Sequence, residues 1–142
     1  MARRTPRATG AAILRFDRLR QAALQAALWR EAVSAVVTGL ASVEDVDTAI
    51  SAGPGLRWAA MGPHMTFHLG GGEGGIEHML AQFKPVFESW WATMSTPSLS
   101  DDTCRQIIGG VKAEANGRSL TELAAERDAV LLPLLELVGK RS

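Results

Sequence analysis

An all-α fold, a helical bundle of about five to six helices, follows from three features of the sequence. Apolar residues recur at three- and four-residue spacing through most of its length. Most Gly and Pro residues fall in clusters between these stretches. No segment alternates apolar and polar residues for the length of a strand, so no sheet is expected.

The elements follow in order. Residues 1–10 contain Pro6 and Gly10 and no periodicity, and read as a disordered tail; residues 11–142 read as one helical domain. From Ala11 to Thr38 there is neither Gly nor Pro and Ala is abundant, which favours one long helix. Its apolar stripe runs Leu24, Leu28, Ala32, Ala35, with Val33, Val36, Val37 and Leu40 beside it, and Gly39 suits its end. Ser42 is a good N-cap for the next helix, with Asp45 in the first turn and Val43, Val46, Ala49 and Ile50 on the buried side. Gly53-Pro54-Gly55 stops it.

Leu56–Met61 has room for one helical turn, and Pro63 suits the first position of a short helix through Leu69. Gly70–Gly75 reads as a flexible or close-approach loop. Ile76, Met79, Leu80 and Phe83 then form a helical face, and Val86, Phe87, Trp90 and Met94 continue it beyond Pro85, where a kink or a fresh start is expected. Ser100 caps a helix that opens with Asp101 and Asp102 and carries Cys104, Ile107, Ile108, Val111 and Ala115 on one face. Gly109-Gly110 would let another helix come close, and Asn116-Gly117 ends the element. Ser119-Leu-Thr-Glu122 is a capping box for the last helix, which Pro133 should kink or cut short.

Composition narrows the function classes. The chain is 46% hydrophobic and 21% charged, with fifteen basic and fifteen acidic residues, so bulk charge points to neither nucleic acid nor membrane. Cys104 is the sole cysteine, which excludes an internal disulfide and a cysteine-based zinc cage. No apolar run reaches the roughly 20 residues that span a bilayer, and no secretory signal opens the chain, so a cytoplasmic protein is expected. Residues 1–20 carry Arg3, Arg4, Arg7, Arg15, Arg18 and Arg20 against Asp17; without interleaved aromatics this is read as a basic tail and helix face.

Four motifs bear on chemistry. Gly70–Gly75 contains a formal G-x-G-x-x-G, but a dinucleotide fingerprint needs a preceding strand and a βαβ unit, and neither is expected here. His64 and His68 stand four apart, with His78 nearby, yet Met65 occupies the place of a zincin's glutamate; no metal is expected. Trp29, Trp58, Trp90 and Trp91 with Phe67, Phe83 and Phe87 form a large aromatic set, mostly core, some of it able to wall a pocket for a quaternary ammonium group. Cys104 on an apolar helix face reads as a small hydrophobe, and no Ser is framed as a nucleophile elbow.

Combined, Leu28-Trp-Arg-Glu-Ala32, Val43-Glu-Asp-Val-Asp-Thr-Ala-Ile50 and Gly53-Pro-Gly-Leu-Arg-Trp-Ala-Ala-Met-Gly-Pro63 resemble the C-terminal domain of the 3-hydroxyacyl-CoA dehydrogenase superfamily. The continuation Leu69–Pro85 and the segment Gly117–Asp128 look most like its L-carnitine dehydrogenase branch. The resemblance implies an all-helical domain that supplies a dimer interface and one wall of a substrate cleft, while an NAD-binding Rossmann domain carries the catalytic His–Glu pair. It implies no catalytic or cofactor-binding residue in this helical chain, and NAD only in partnership. On that basis Arg57, Trp58, Met61, His64 and Trp90 are the candidates for the cleft wall. The family's Asn- or Asp-Arg-Leu at the start of its first helix falls on Ala22-Ala23-Leu24, while Asp17-Arg18-Leu19 spells it earlier. The expected partners are a second copy or a separate NAD-binding chain, with no oxidation by this chain alone.

Overall fold

A computed structural model describes the backbone of residues 10–139 and the side chains of residues 18–139. The expected tail lies outside the described residues except for Gly10, and so do the arginines before Arg18 as side chains. Seven α-helices account for most of the rest: α1 Gly10–Val37, α2 Val43–Ala52, α3 Pro54–Ala60, α4 Pro63–Gly70, α5 Gly75–Thr93, α6 Asp101–Ala115 and α7 Leu120–Gly139, with a 3-10 turn at Gly72–Gly74. No strand occurs among the described residues. The architecture is all-α, with short α3 and α4 raising the helix count above the expected five to six.

Local sequence sets the helix ends. Past Val37, the Leu40 N–H donates to the Ala35 carbonyl and the Gly39 N–H to that of Val36, and Gly39 has φ +72°: a Schellman closure. At α2, Ser42 Oγ accepts from the Asp45 N–H (3.1 Å) while Asp45 Oδ2 accepts from the Ser42 N–H (3.1 Å), forming a full capping box. Ser119 and Glu122 form the same reciprocal pair at α7. Ser100 Oγ accepts from the Thr103 N–H at α6.

Neither proline ends its helix. α5 runs unbroken from Gly75 to Thr93 through Pro85, and α7 continues through Pro133 to Gly139. Each proline deprives a carbonyl four residues earlier of its partner, at Ala81 and Ala129. Both of those residues are exposed, so the carbonyls left without a helical partner are open to solvent.

Packing divides into two clusters. In the first, α1, α2 and α6 meet: Val33 of α1 (2% exposed) and Val43 of α2 (9%) are the buried hydrophobic residues among those described. Trp29, Val36, Val46, Ile107 and Val111 close around them. Burying one such valine contributes roughly 1.5–3 kcal/mol. The close approach expected at Gly109-Gly110 occurs at Gly110, where a Cβ would stand 2.9 Å from Val43 Cβ and nearer still to Cγ2. In the second cluster α4 folds back on α5, and α3 links this pair to α2.

Much apolar surface remains outside these clusters. Among the described side chains of α1, those from Glu31 to Val37 are covered and those from Arg18 to Arg30 are exposed; Leu24 is 70% exposed. Helix α7 makes no extended contact with any other helix, leaving Val130, Leu131, Leu132, Leu135 and Leu137 exposed.

Gly110→Ala should therefore be destabilising in spite of a helix-propensity gain of about 1 kcal/mol. Overpacking against Val43 costs about 1–3 kcal/mol, so a net loss of roughly 1 kcal/mol is expected in urea unfolding, while Gly109→Ala, whose Cβ meets open space, should stabilise. Equal effects of the two substitutions would refute the α2–α6 contact.

Candidate functional site

Between α4 and α5 lies a cavity of about 380 Å³, lined by His64, Phe67, Ile76, Met79, Leu80, Lys84, Phe87, Glu88 and Trp91. The Gly-rich turn sets its shape. Ile76 donates its N–H to His68 Nδ1 (3.1 Å), which ties the end of α4 to the first turn of α5. Gly75, at φ +58°, passes directly beneath that ring; a Cβ there would lie 2.5 Å from His68 Cε1. The loop is a packed crossing between two helices, and its N–H groups are not arranged after a strand as a pyrophosphate cradle requires.

Aromatic rings form part of the wall. Phe67 and Phe87 meet edge to face at 5.3 Å between centroids and 79° between planes. Phe87 meets Trp90 at 5.4 Å and 86°, and Trp91 at 6.4 Å and 36°. Such pairs add about 0.5–1.5 kcal/mol each beyond their buried area and hold the rings in place. At the rim Lys84 Nζ stands 3.8 Å from Glu88 Oε1, one helical turn apart and well exposed.

Two of the five cleft candidates belong to this region: His64 lines the cavity, and Trp90 packs on Phe87 beside it. Arg57 and Trp58 stand on α3 and Met61 at its C-cap, and none of these three lines the cavity. Lys84 and Glu88 were not anticipated as site residues. Their spacing of four on the helix that bears Phe87 and Trp91 was the available signal.

A second concavity, of about 750 Å³, runs between α1 and α2 and is lined by Ala22, Gln25, Ala26, Leu28, Trp29, Ala32, Val46, Asp47, Ile50 and Ser51. Sequence reading placed Trp29 in the aromatic set and missed the groove, because Ala22 and Ala26 look like ordinary helix formers until a second helix lies beside them. The neighbouring surface is acidic. Burial, with Asp47 and Glu44 across from it on α2, raises the ionisation range of the Glu114 carboxyl above the ordinary one.

Among the described residues no three His, Cys, Asp or Glu converge on a point that could hold a metal ion. The cavity combines aromatic rings for contact with one carboxylate and one ammonium for orientation.

The model of the 3-hydroxyacyl-CoA dehydrogenase C-terminal domain matches residues 21–106. The chain belongs to that family. It is 46% identical over 117 residues to an L-carnitine dehydrogenase of Streptomyces coelicolor, covering 82% of this chain and 37% of that protein. With the L-carnitine dehydrogenase of Oceanobacillus iheyensis identity is 48% over 115 residues, covering 81% and 38%. With that of Pseudomonas putida it is 38% over 112 residues, covering 79% and 35%. The chain spans little more than a third of the length of the curated relatives it matches. No helix among the described residues is long and apolar enough to cross a membrane.

The raised Glu114 carboxyl has a definite sign. The fold binds that proton more tightly than the unfolded chain does, so ionised Glu114 opposes folding at neutral pH. This opposition fades as pH falls through its raised range to the ordinary carboxylate range. Glu114→Gln should raise the melting temperature at pH 7 and make little difference at pH 4. A substitution equally stabilising at both pH values would show that its charge is not the cause.

Proposed function

We propose that this domain is the association and substrate-cleft part of an NAD-dependent dehydrogenase of the 3-hydroxyacyl-CoA or L-carnitine type, and that it does not oxidise substrate by itself. One observation carries the reading: a member of this family whose described residues form helices and no strand, with an aromatic cavity between two of those helices. The described residues do not fit an NAD pyrophosphate, since the only Gly-rich loop is the packed α4–α5 crossing. The contribution of this chain is to bind and orient: the rings from α4 and α5 exclude water from one wall of a cleft, and Glu88 and Lys84 set the polarity of its rim.

Association takes one of two forms, a homodimer through the open apolar faces or a complex with a separately encoded NAD-binding chain. The second would make the chain half of a split enzyme. Cytoplasmic placement goes with either. Purified chain with NAD and carnitine should give no NADH. Addition of an NAD-binding partner domain from an L-carnitine dehydrogenase should restore turnover if the chain is such a half. Turnover by the chain alone would refute the reading.

The carboxylate beside aromatic faces favours a second reading, a module that binds a quaternary ammonium group without catalysis. Cation–π contacts contribute about 0.5–2 kcal/mol each. Calorimetry with carnitine should then show binding that Phe87→Ala or Trp91→Ala weakens roughly tenfold; no heat at millimolar carnitine would exclude the module.

A further inference from the structure

Helix α5 is capped differently from its serine-capped neighbours. Helices α2, α6 and α7 are capped by Ser42, Ser100 and Ser119, whose hydroxyls accept at any pH. At α5 the cap position is Gly74, which has no side chain, and the acceptor comes from another helix. His68 Nδ1, on α4, takes the N–H of Ile76 in the first turn of α5, one of the donors that a helix start leaves without an internal partner. Among the described residues this is the imidazole's one hydrogen bond.

An imidazole nitrogen accepts only while it carries no proton, so the bond requires a neutral ring protonated at Nε2. Turning the ring over would put Cδ2 in the place of Nδ1, which leaves no acceptor. Protonation converts Nδ1 into a donor that confronts the Ile76 N–H. Histidine is the side chain whose charge changes between about pH 5 and pH 8. Helix dipoles do not decide the outcome: the end of α4 favours a cation on His68 and the start of α5 opposes it, with similar strength. The charged and titratable side chains on the elements around the ring are Arg57 on α3, His64 one turn back on α4, Glu73 on the turn, and Glu77 and His78 at the start of α5. Lys84 and Glu88, farther along α5, pair with each other. None of these makes a hydrogen bond or ion pair with the His68 ring.

We propose that neutral His68 pins α4 to α5, and that its protonation releases the crossing and opens the aromatic cavity. Helix α4 supplies His64 and Phe67 to the cavity, and Phe67 is the residue next to His68. Release at the turn draws Phe67 away from Phe87, the ring on which the wall is built. His68 does not line the cavity, so its role is that of a positioning residue. The wall is assembled at neutral and alkaline pH and is lost as pH falls. The inference rests on the binding-wall reading for its use, whereas its test involves no ligand.

Nuclear magnetic resonance on the full chain provides that test. Between about pH 8 and about pH 5, protection of the Ile76 amide against hydrogen exchange, corrected for the intrinsic pH dependence of exchange, should fall roughly fivefold or more. Contacts between the Phe67 and Phe87 rings should weaken over the same range, and the ring nitrogen shifts of His68 should share the midpoint. His68→Asn keeps an acceptor near the position of Nδ1 and has no proton to gain, so protection at Ile76 should stay level; His68→Leu should lack it at both ends. Circular dichroism identifies a variant that fails to fold, and the shared midpoint in the wild-type chain then decides. Unchanged protection at Ile76 while the His68 ring gains its proton overturns the proposal. So does a loss that His68→Asn shares, which would assign it to another group such as Glu73 or His78. Since no ligand enters these measurements, failure of the binding-wall reading leaves them unaffected.

Discussion

Val43 can sit where α1, α2 and α6 meet because residue 110 has no side chain. The rest of the first cluster depends on that contact. With α6 drawn against α2, Ile107 and Val111 reach Val33, and the C-terminal half of α1 acquires its cover. The capping box at Ser42 sets the position of Val43 at the first residue of α2, so a local hydrogen-bond pattern and a long-range contact share one site. Consistency of this kind, in which cap, periodicity and packing agree, makes a short segment adopt a single arrangement.

The second cluster uses a different device for the same purpose. Here the crossing of α4 and α5 is held by the ring of His68, which lies over Gly75 and accepts the Ile76 N–H. The three aromatic contacts radiating from Phe87 then fix the cavity wall. Replacement of Gly75 by any L-residue meets both an unfavourable φ and the His68 ring. The Gly-rich run that formally spells a phosphate motif is explained by helix crossing alone.

The helix ends were legible in the sequence because their causes lie within four residues: Ser42, Ser100 and Ser119 act as expected, and Gly39 closes α1. Pro85 and Pro133 left a kink or an end open, because sequence shows the missing N–H and not whether the helix runs on; both helices do run on. The α1 stripe shows the converse. Leu24 and Leu28 have the spacing of a buried face, and periodicity says that a face is apolar without saying what covers it. The aromatic cavity was half legible: its rings stood out by residue type, and His64 and Trp90 by resemblance. Lys84 and Glu88 came into view only when α4 placed Phe67 against Phe87. The groove at Ala22 and Ala26 was not legible, since two residues with almost no side chain become a feature only against α2.

On the proposed reading the α4–α5 cavity is one wall of a cleft, and such a wall has to stay uncovered. The rings of Phe67, Phe87 and Trp91 would be more stable buried within a single-chain core, where each could remove well over 100 Å² from water. Keeping them at a surface lowers the domain's own stability and reserves their contact energy for whatever closes the cleft. The same reasoning applies to α7, whose leucines contribute little to the isolated chain. On the proposed reading, a small core at Val33 and Val43 beside uncovered apolar surfaces is one design: enough internal packing to hold the helices in position, with apolar surface left for association.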